Sequence, residues 1–325
     1  MKPVIGCLGA GRMGRGIAVV FAFAGHQVVV VDFKEREASA FEALAAEARA
    51  EIRSTLEILS RIDLLPPGLV PTIAERIRIM PRQEADAVLP RCDVIFEGVP
   101  EILGLKQAAL AETSRLAGEG PIIASTTSTI LVDDLAGSIE HPGRFLNAHW
   151  LNPAYLVPLI ELSPGRLTSP EVTARMKTLL EGIGKVPVVC AARPGFIVPR
   201  IQSLAMNEAA RMVEEGVASA EDIDKAVIYG FGFRFAVLGL LEFIDWGGGD
   251  ILHHASRYLV EALGDSRYAA PDIIAANMRE GRIGMKTGQG FMNYEGVDQA
   301  AYREKRLAAF AAALRAMGLA REPVV

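Results

Sequence analysis

Two residues twelve positions apart, a histidine and a glutamate, are the pair in this chain best suited to chemistry. His149 ends an apolar, strand-like run, and Glu161 ends the next one. A histidine beside a carboxylate can act as a general base, because the carboxylate holds one tautomer and stabilises the imidazolium. We expect the two side chains to meet at the carboxyl edge of a parallel sheet, where ligands bind in such folds. Taken alone, however, this spacing is more typical of a structural pair.

A glycine-rich turn near the N-terminus predicts a dinucleotide site. The segment Gly9-Ala-Gly11-Arg12-Met13-Gly14 has the pattern G-x-G-x-x-G, follows an apolar run and opens a helical one. Its glycines allow a tight turn, close approach of a pyrophosphate to the backbone, and packing of helix on strand. We therefore predict that Gly9, Gly11, Arg12, Met13 and Gly14 bind the cofactor.

An acidic residue at the end of the next strand indicates which cofactor is bound. Asp32 follows four consecutive valines. A carboxylate there accepts hydrogen bonds from the adenosine ribose and repels a 2′-phosphate, which favours NAD over NADP. Lys34 and Arg36 lie close enough to keep NADP as the alternative.

Alternating apolar runs and helical segments position these residues. The strand-like runs are 3–8, 27–31, 77–80, 93–96, 122–125, 145–149, 159–162 and 186–189. A helical excursion at about 35–75, interrupted by Pro66, Pro67 and Pro71, separates the second run from the third. This order predicts an α/β, Rossmann-type, doubly wound parallel sheet over residues 1–193.

The pattern changes to helical spacing from residue 194 onwards, which predicts an all-α C-terminal domain over 194–325. Ser219-Ala-Glu-Asp222 is a capping box that opens a helix, and Asp298–Met317 is an Ala- and Arg-rich helix. We expect the glycine- and aromatic-rich stretch Gly230–Gly249 to form loops between helices. The apolar content of this domain suggests that it binds substrate and forms a homodimer through its helices.

Composition excludes several classes of protein. A formal charge of −5 and a pI near 5.7 provide no basic face for nucleic acid. The three cysteines, Cys7, Cys92 and Cys190, form no CxxC pair, so neither a disulfide framework nor a zinc site is indicated. The sequence shows neither a secretory signal nor an apolar run long enough for a membrane span. We expect a cytoplasmic protein with no membrane partner and no metal.

Several further motifs occur in a fixed order along the chain. They are Gly9–Gly14, Asp32, Pro100-Glu101 with Lys106, Ser125-Thr-Thr-Ser128, His149-x-x-Asn152-Pro153, Glu161, Pro194-Gly-Phe-Ile-Val198 and Gly284-Met-Lys-Thr-Gly-Gln-Gly-Phe291. In this order and spacing the chain resembles the L-3-hydroxyacyl-CoA dehydrogenase family from residue 3 to about 294. The order, rather than any single motif, makes the resemblance specific.

The resemblance implies a role for each matching position. His149 would remove the 3-hydroxyl proton while hydride passes to NAD, and Glu161 would orient its imidazole. Ser128 would hydrogen-bond the reacting oxygen, and Asn152 would help to form the substrate pocket. Glu101 and Lys106 would lie near the nicotinamide ribose. The implied reaction is oxidation of an L-3-hydroxyacyl-CoA in fatty acid metabolism.

One position departs from the family pattern. Pro199 stands where members usually carry an asparagine near the substrate oxygen, and proline offers neither a side-chain hydrogen bond nor a backbone N–H. Asn207, two helical turns further on, is a conceivable replacement.

Two other segments bear on the choice of substrate. The stretch 152–161 is similar to the branch that acts on free hydroxy acids, which includes L-gulonate 3-dehydrogenase (λ-crystallin) and carnitine dehydrogenase. Acyl-CoA members place basic residues at about 41–62, where this chain alternates arginines with glutamates, typical of a solvated helix.

The roles of a few residues in the second domain are not decided by the sequence. Arg234 could clamp a substrate carboxylate, or it could be a surface or interface arginine. His253 and His254 are adjacent and face different sides of a helix, which makes a poor metal site. Trp246 is more typical of a core residue.

Two alternatives to a 3-hydroxyacyl-CoA dehydrogenase remain open. One is a dehydrogenase of a free 3-hydroxy acid. The other is an NAD-binding structural or sensor protein without turnover, which has no need of Ser128, His149 and Glu161. A reductase with a catalytic lysine on the first helix of the second domain is disfavoured, because 196–211 contains no lysine.

Overall fold

The computed structural model describes residues 2–324, which divide into two compact units between Ala205 and Met206. The strands within these residues are β1 (Ile5–Leu8), β2 (Val28–Asp32), β3 (Ile77–Pro81), β4 (Val94–Glu97), β5 (Ile122–Ser125), β6 (Phe145–Trp150), β7 (Leu159–Pro164) and β8 (Val186–Val189). The helices of the first unit are α1 (Arg12–Phe23), α2 (Ala38–Arg61), α3 (Val70–Ala74), α4 (Ala85–Val88), α5 (Leu103–Ala117), α6 (Val132–Ala136) and α7 (Pro170–Glu181). Helix α8 (Val198–Glu214) contains the division between the units.

The strands form one sheet in the order β3-β2-β1-β4-β5-β6-β7-β8. Strands β1 to β6 are parallel, and crossover helices cover both faces of the sheet. Strands buried on both faces read as unbroken apolar runs, which explains the four valines of β2. The predicted doubly wound, Rossmann-type sheet is therefore confirmed.

Strand β7 runs in the opposite direction to the one that we expected. It pairs antiparallel with β6, and β8 then pairs parallel with β7. Eight residues, 151–158, connect β6 to β7, whereas a parallel crossover needs about a dozen or more. His149 and Glu161 are consequently direct cross-strand partners, and the expectation that they meet as two parallel strand ends is wrong.

An aromatic cluster anchors α1 to the sheet. The rings of Phe21, Phe96 and Trp150 lie 5.5–6.1 Å apart between centroids, and all three are buried. Aromatic pairs in such tilted and edge-on arrangements contribute beyond their buried area. This packing holds the glycine-rich turn before α1 and the end of β6 on one rigid framework.

The second unit is helical, in agreement with the sequence prediction. Its helices are α9 (Ala220–Ala226), α10 (Phe233–Phe235), α11 (Leu240–Gly247), α12 (Gly249–Leu263), α13 (Asp272–Arg279) and α14 (Gln299–Ala316). The Ser219 hydroxyl accepts the Asp222 N–H at the start of α9, as the capping motif predicts. Asp298 likewise caps α14 through the N–H groups of Ala300 and Ala301.

The stretch Gly230–Gly249 is mostly helix, so the prediction of loops there is wrong. A π-helical turn at Val227–Gly232 joins α9 to α10, and α11 follows after a short break. Glycine costs a helix about 1 kcal/mol per residue, but the phenylalanines pack together and offset that cost. The rings of Phe231 and Phe243 lie 4.5 and 5.5 Å from that of Phe235.

The glycine-rich motif near residue 290 surrounds a buried carboxylate. Asp245 on α11 is 2% exposed and accepts the N–H groups of Phe291 and Met292 at 2.9 and 2.8 Å. A Cβ atom on Gly290 would lie 2.1 Å from its Oδ1. This part of the family motif therefore has a structural role in folding the second unit.

No single helix within residues 2–324 has both the length and the apolarity to cross a membrane. One pair of helical segments, Ala220–Phe235 with Leu240–Gly247, is long and apolar enough when the two are taken together. The pair is bent by 83° at the break between them.

Candidate active site

A cavity of about 650 Å³ lies in the first unit beside the glycine-rich turn. Its wall includes Gly9, Gly11 and Asp32. A Cβ atom on Gly14 would lie 2.1 Å from the carbonyl oxygen of Gly9, whereas one on Gly11 would meet nothing within 4 Å. Gly14 thus permits the close packing of α1 on the turn, and Gly11 leaves open space for a pyrophosphate. The cradle fits the dinucleotide that the sequence predicts.

Arg12 and Met13 lie at the start of α1 but do not line this cavity. Met13 packs against the hydrophobic core. Arg12 is exposed and lines a second cavity of about 310 Å³, together with Asn152, Thr55 and Tyr155. The position of Asn152 beside an open cavity is compatible with its expected contact with substrate.

Sequence analysis missed Arg15, which lines both cavities. Its side chain is buried, and its Nε donates to the carbonyl of Ala10 in the turn at 2.6 Å. Its guanidinium also bonds Glu47, at 3.0 Å, and Glu51, both on α2. The spacing of those glutamates by one helical turn was the signal that could have revealed this link between α2 and the cofactor turn.

The histidine–glutamate pair is preorganised. The Nδ1 atom of His149 lies 2.7 Å from Oε2 of Glu161, and the two residues are 4% and 0% exposed. The other carboxylate oxygen, Oε1, accepts the backbone N–H groups of Ile197 and Val198, both at 2.8 Å. Glu161 therefore joins His149 on β6 to the start of α8 and the residue before it.

Those bonds keep Glu161 ionised. Burial by itself raises the pKa of its carboxyl, but the hydrogen bonds from His149, Val198 and Ile197 outweigh burial and leave the pKa below its ordinary value. An ionised carboxylate only accepts hydrogen bonds, so Nδ1 of His149 must donate. The Nε2 atom is then left with its lone pair, which is the arrangement that a general base requires.

Phe196 fixes the imidazole from one side. Its ring stacks on that of His149 with 5.1 Å between centroids and 15° between planes. Its backbone has φ 44°, a left-handed conformation that is strained for a bulky residue. Such strain is concentrated at functional sites, where surrounding structure enforces it. The Gly-Phe-Ile-Val segment thus contributes a ring that packs on His149 and two N–H groups that bond Glu161.

Glu101 organises the loop that carries Ser128. Its Oε1 accepts the N–H groups of Ser128 and Thr129 at 3.0 and 3.1 Å, and the hydroxyls of Thr127 and Thr129. These bonds and the nearby Lys106 outweigh burial and lower the pKa of Glu101. Ser128 itself is exposed at the tip of the loop, where its hydroxyl is free to meet a ligand.

Lys106 lies beneath this loop instead of in the open cavity. It is 1% exposed, and its ammonium donates to both oxygens of Glu97 at 2.9 and 3.2 Å and to the carbonyl of Val99 at 3.1 Å. Glu101 lies 3.4 Å away. Sequence analysis missed Glu97, which is fully buried at the end of β4 and also accepts the Ser125 hydroxyl. Glu101 and Lys106 are thus both bonded to other residues of this chain.

The residues whose roles the sequence leaves undecided lie at different places in the structure. Pro199 lies in the first turn of α8, where its missing N–H costs no helical bond. Asn207 is exposed on α8. Arg234 is exposed on α10, and its guanidinium lies 5.6 Å from the centre of the Phe243 ring. In the described part of the chain no three His, Cys, Asp or Glu side chains cluster as metal ligands.

A dinucleotide cradle and a preorganised histidine–glutamate pair that share one sheet are the features of a nicotinamide-dependent dehydrogenase. Two family models identify the family of dehydrogenases to which the chain belongs. "3-hydroxyacyl-CoA dehydrogenase, NAD binding domain" matches residues 4–193, and "3-hydroxyacyl-CoA dehydrogenase, C-terminal domain" matches residues 195–294. The chain belongs to the 3-hydroxyacyl-CoA dehydrogenase family. It is an NAD-dependent enzyme that acts on a CH–OH group.

Relatives of known name include two kinds of dehydrogenase. A 5-formyl-3-hydroxy-2-methylpyridine 4-carboxylate 5-dehydrogenase of Mesorhizobium japonicum is 32% identical over 89% of this chain and 90% of its own length. A probable 3-hydroxybutyryl-CoA dehydrogenase of Deinococcus radiodurans is 30% identical over 89% of this chain and 99% of its own.

Solved structures of both kinds of dehydrogenase are similar to this chain. A 3-hydroxyacyl-CoA dehydrogenase from Archaeoglobus fulgidus has a TM-score of 0.77 and 32% identity, covering 98% of this chain and all of its own. The pyridine carboxylate 5-dehydrogenase, an NAD⁺-dependent dismutase, has a TM-score of 0.70 and 29% identity, covering 99% of this chain and 100% of its own.

Proposed function

We propose that the chain oxidises the 3-hydroxyl of an L-3-hydroxyacyl-CoA, with His149 as the general base. The contact between His149 and Glu161 at 2.7 Å, with the second carboxylate oxygen satisfied by two backbone N–H groups, carries the proposal. A buried carboxylate held in this way gives the imidazole one tautomer and a stabilising charge. The named relatives that act on 3-hydroxybutyryl-CoA support this choice of substrate.

Each residue has a defined task in this proposal. Nε2 of His149 accepts the hydroxyl proton, and Glu161 stabilises the imidazolium that forms. Ser128, held at the loop tip by Glu101, donates to the reacting oxygen. When bound, NAD supplies the hydride acceptor, so that loss of the proton and the hydride leaves a carbonyl. Glu161 keeps its own charge throughout, because its pKa lies below the usual carboxyl value.

Replacing the base tests this proposal. We expect His149→Gln to lower turnover at least about a hundredfold, the usual contribution of a general base, while NADH binding is retained. The measurement is NADH formation with L-3-hydroxybutyryl-CoA, together with an NADH fluorescence titration. His141→Gln, at a half-exposed surface histidine, is the matched control and should leave turnover unchanged. Normal turnover by His149→Gln would remove His149 from the mechanism.

A free acid is the second candidate substrate, and two observations favour it. Two of the three α2 arginines are matched by glutamates, with Arg49 3.9 Å from Glu42 and Arg53 3.7 Å from Glu57, which reduces the positive charge that α2 offers to CoA phosphates. Pro199 also lacks the side-chain hydrogen bond that the family asparagine provides. The pyridine carboxylate named above is likewise no CoA thioester.

The two candidates are separated by a substrate panel. Purified protein with NAD is offered L-3-hydroxybutyryl-CoA in parallel with free 3-hydroxy acids that include gulonate and carnitine. Turnover of the thioester with the acids inert supports the first candidate, and the reverse supports the second. Retained NADH binding with no turnover of either class would favour a sensor or structural protein.

A further inference from the structure

The smaller of the two cavities described above presents polar side chains that have no partner within the protein. It has a volume of about 310 Å³ and lies between α1, α2 and the loop that follows β6. Four of its lining residues form no side-chain hydrogen bond or ion pair with the rest of the described chain: Arg12, Thr55, Asn152 and Tyr155. Polar groups that face an open cavity in this way are available to a ligand.

A close approach of α1 to that loop brings Arg12 and Asn152 to the same cavity. Gly16 lies one helical turn after Arg12, and a Cβ atom on it would lie 3.2 Å from the Cβ atom of Ala154, so a side chain there would crowd the loop. Asn152 follows His149 by three residues, and their Cα atoms are therefore at most about 11 Å apart. A substrate whose hydroxyl meets His149 can extend to this cavity.

Arg12 is a cation without a counter-ion in the described chain. The other arginine of the same wall, Arg15, is 7% exposed, and its guanidinium donates to Glu51, which also lines the cavity, and to Glu47. Glu47 is 69% exposed and does not line the cavity. The side chain of Arg12 is exposed and lies outside the wall of the cofactor cavity. A guanidinium that is free in this way binds a carboxylate through two parallel N–H bonds.

The rest of the wall fits a small organic anion. Val19, Ile52 and Ala154 are buried apolar residues, whereas Asn152 and Tyr155 contribute an amide and a hydroxyl. A wall that is largely apolar, with a few convergent polar groups and one charge, is typical of a site for a small molecule. The free charge is positive, so the group that it would bind on the ligand is an anion.

We propose that Arg12 binds a carboxylate of the substrate, so that the enzyme selects hydroxy substrates that carry a carboxylate besides the reacting hydroxyl. This inference rests on the proposed function, because it takes His149 as the base. Two kinds of substrate supply such a carboxylate, a free 3-hydroxy acid and the CoA thioester of a hydroxydicarboxylic acid. In both, Arg12 acts on binding and leaves the proton to His149.

Kinetics with matched substrates test the proposal. NADH formation is followed with L-3-hydroxybutyryl-CoA, with L-3-hydroxyadipyl-CoA, which adds a carboxylate to the acyl chain, and with free 3-hydroxybutyrate, gulonate and carnitine. We expect Arg12→Gln to lower kcat/KM for the preferred carboxylate-bearing substrate by about tenfold to a hundredfold, mainly through KM. The value for L-3-hydroxybutyryl-CoA should change less than about threefold. Arg12→Lys should lose less, because it keeps the charge without the fork.

The substrate that shows this loss identifies the source of the carboxylate. A loss with a free acid assigns Arg12 to the acid group next to the reacting carbon atoms, and a loss with L-3-hydroxyadipyl-CoA assigns it to the far end of the acyl chain. Arg175→Gln, at an exposed arginine on α7, is the matched control and should leave every value unchanged.

Several results would overturn the proposal. An Arg12→Gln variant that loses both thioesters equally would assign Arg12 to CoA, and one that loses NADH binding in a fluorescence titration would assign it to the cofactor. Normal kinetics of the variant, or a wild type that turns over only L-3-hydroxybutyryl-CoA, would remove the carboxylate contact and leave the proposed function standing. A wild type that binds NADH but turns over none of these substrates would contradict the proposed function, and this inference with it.

Discussion

At the scale of single residues, the carboxylate of Glu161 serves two sets of donors at once. One oxygen faces His149, and the other faces the N–H groups of Ile197 and Val198. Glutamine cannot replace it, because an amide has one acceptor and one donor end. If its oxygen meets the backbone donors, its NH₂ faces Nδ1 and forces the tautomer in which Nε2 carries the proton.

The variant Glu161→Gln should therefore lose at least about a hundredfold in turnover, as expected when a base is held in the wrong tautomer. Steady-state kinetics with the preferred substrate measure the loss, and NADH binding should persist. Glu181→Gln, at a half-exposed glutamate on α7, serves as the control. Turnover within about threefold of wild type would show that Glu161 does not set the tautomer.

The same carboxylate should make the free energy of unfolding depend on pH in the acidic range. Since its folded-state pKa is lowered, Glu161 contributes stability that is complete above the unfolded-state pKa and is lost as pH falls through the folded-state pKa. The free energy of unfolding should fall more steeply in the wild type than in Glu161→Gln below about pH 4. Urea unfolding at several pH values measures the two slopes, and parallel slopes would contradict the assignment.

At the scale of elements, a buried ion pair fastens helix α5 to the end of β4. Lys106 and Glu97 are 1% and 0% exposed, and the same lysine lies 3.4 Å from the carboxylate that holds the Ser128 loop. Removing one partner of such a pair leaves an uncompensated buried charge, whereas removing both is far less costly. The pair therefore supports the candidate active site by holding α5 against the end of β4.

We expect Lys106→Met to lower the free energy of unfolding by about 3–5 kcal/mol. The double variant Lys106→Met with Glu97→Gln should recover part of that loss. Urea unfolding followed by circular dichroism measures both. Lys177→Met, which removes a half-exposed i,i+4 pair on α7, should cost less than about 1 kcal/mol. A Lys106→Met protein as stable as the wild type would show that the pair has no such role.

At the scale of the whole molecule, one face of α12 is apolar and exposed. Ile251, Ala255, Tyr258 and Leu259 recur at helical spacing, and all four are exposed, whereas Ser256 on the same helix is buried. An apolar stripe of this kind on a helix normally packs against another element. A second copy of the chain would bury the stripe, consistent with the homodimer proposed from the composition of this domain.

The proposal of a homodimer through this stripe is tested by the mass in solution. Light scattering with size-exclusion chromatography should give twice the chain mass for the wild type. The double variant Ile251→Glu with Tyr258→Glu should give a monomer that still binds NADH, because the cofactor cavity lies in the first unit. Arg257→Glu alters α12 away from the stripe and should remain dimeric. A monomeric wild type would leave the stripe without this partner.

Patterns that are local in the chain were sufficient to predict much of the protein. The glycine-rich turn, Asp32 and the alternation of strands and helices are readable because glycine geometry and apolar periodicity act within a few residues. His149 and Glu161 were identified as a pair by residue type, strand position and family resemblance. The Gly230–Gly249 prediction failed because packing among Phe231, Phe235 and Phe243 outweighs the low helix propensity of glycine.

Only the tertiary structure decided how distant residues meet. The short connection after β6 is readable in the sequence, but only the structure shows the antiparallel register that sets His149 opposite Glu161. The two N–H groups that hold Glu161 come from a segment thirty-six and thirty-seven residues away. The arginine on Asp32 sits one helical turn along in sequence, but only the fold turns it onto the carboxylate inside a shared cavity. Such contacts depend on how elements pack, and local sequence preference does not encode that.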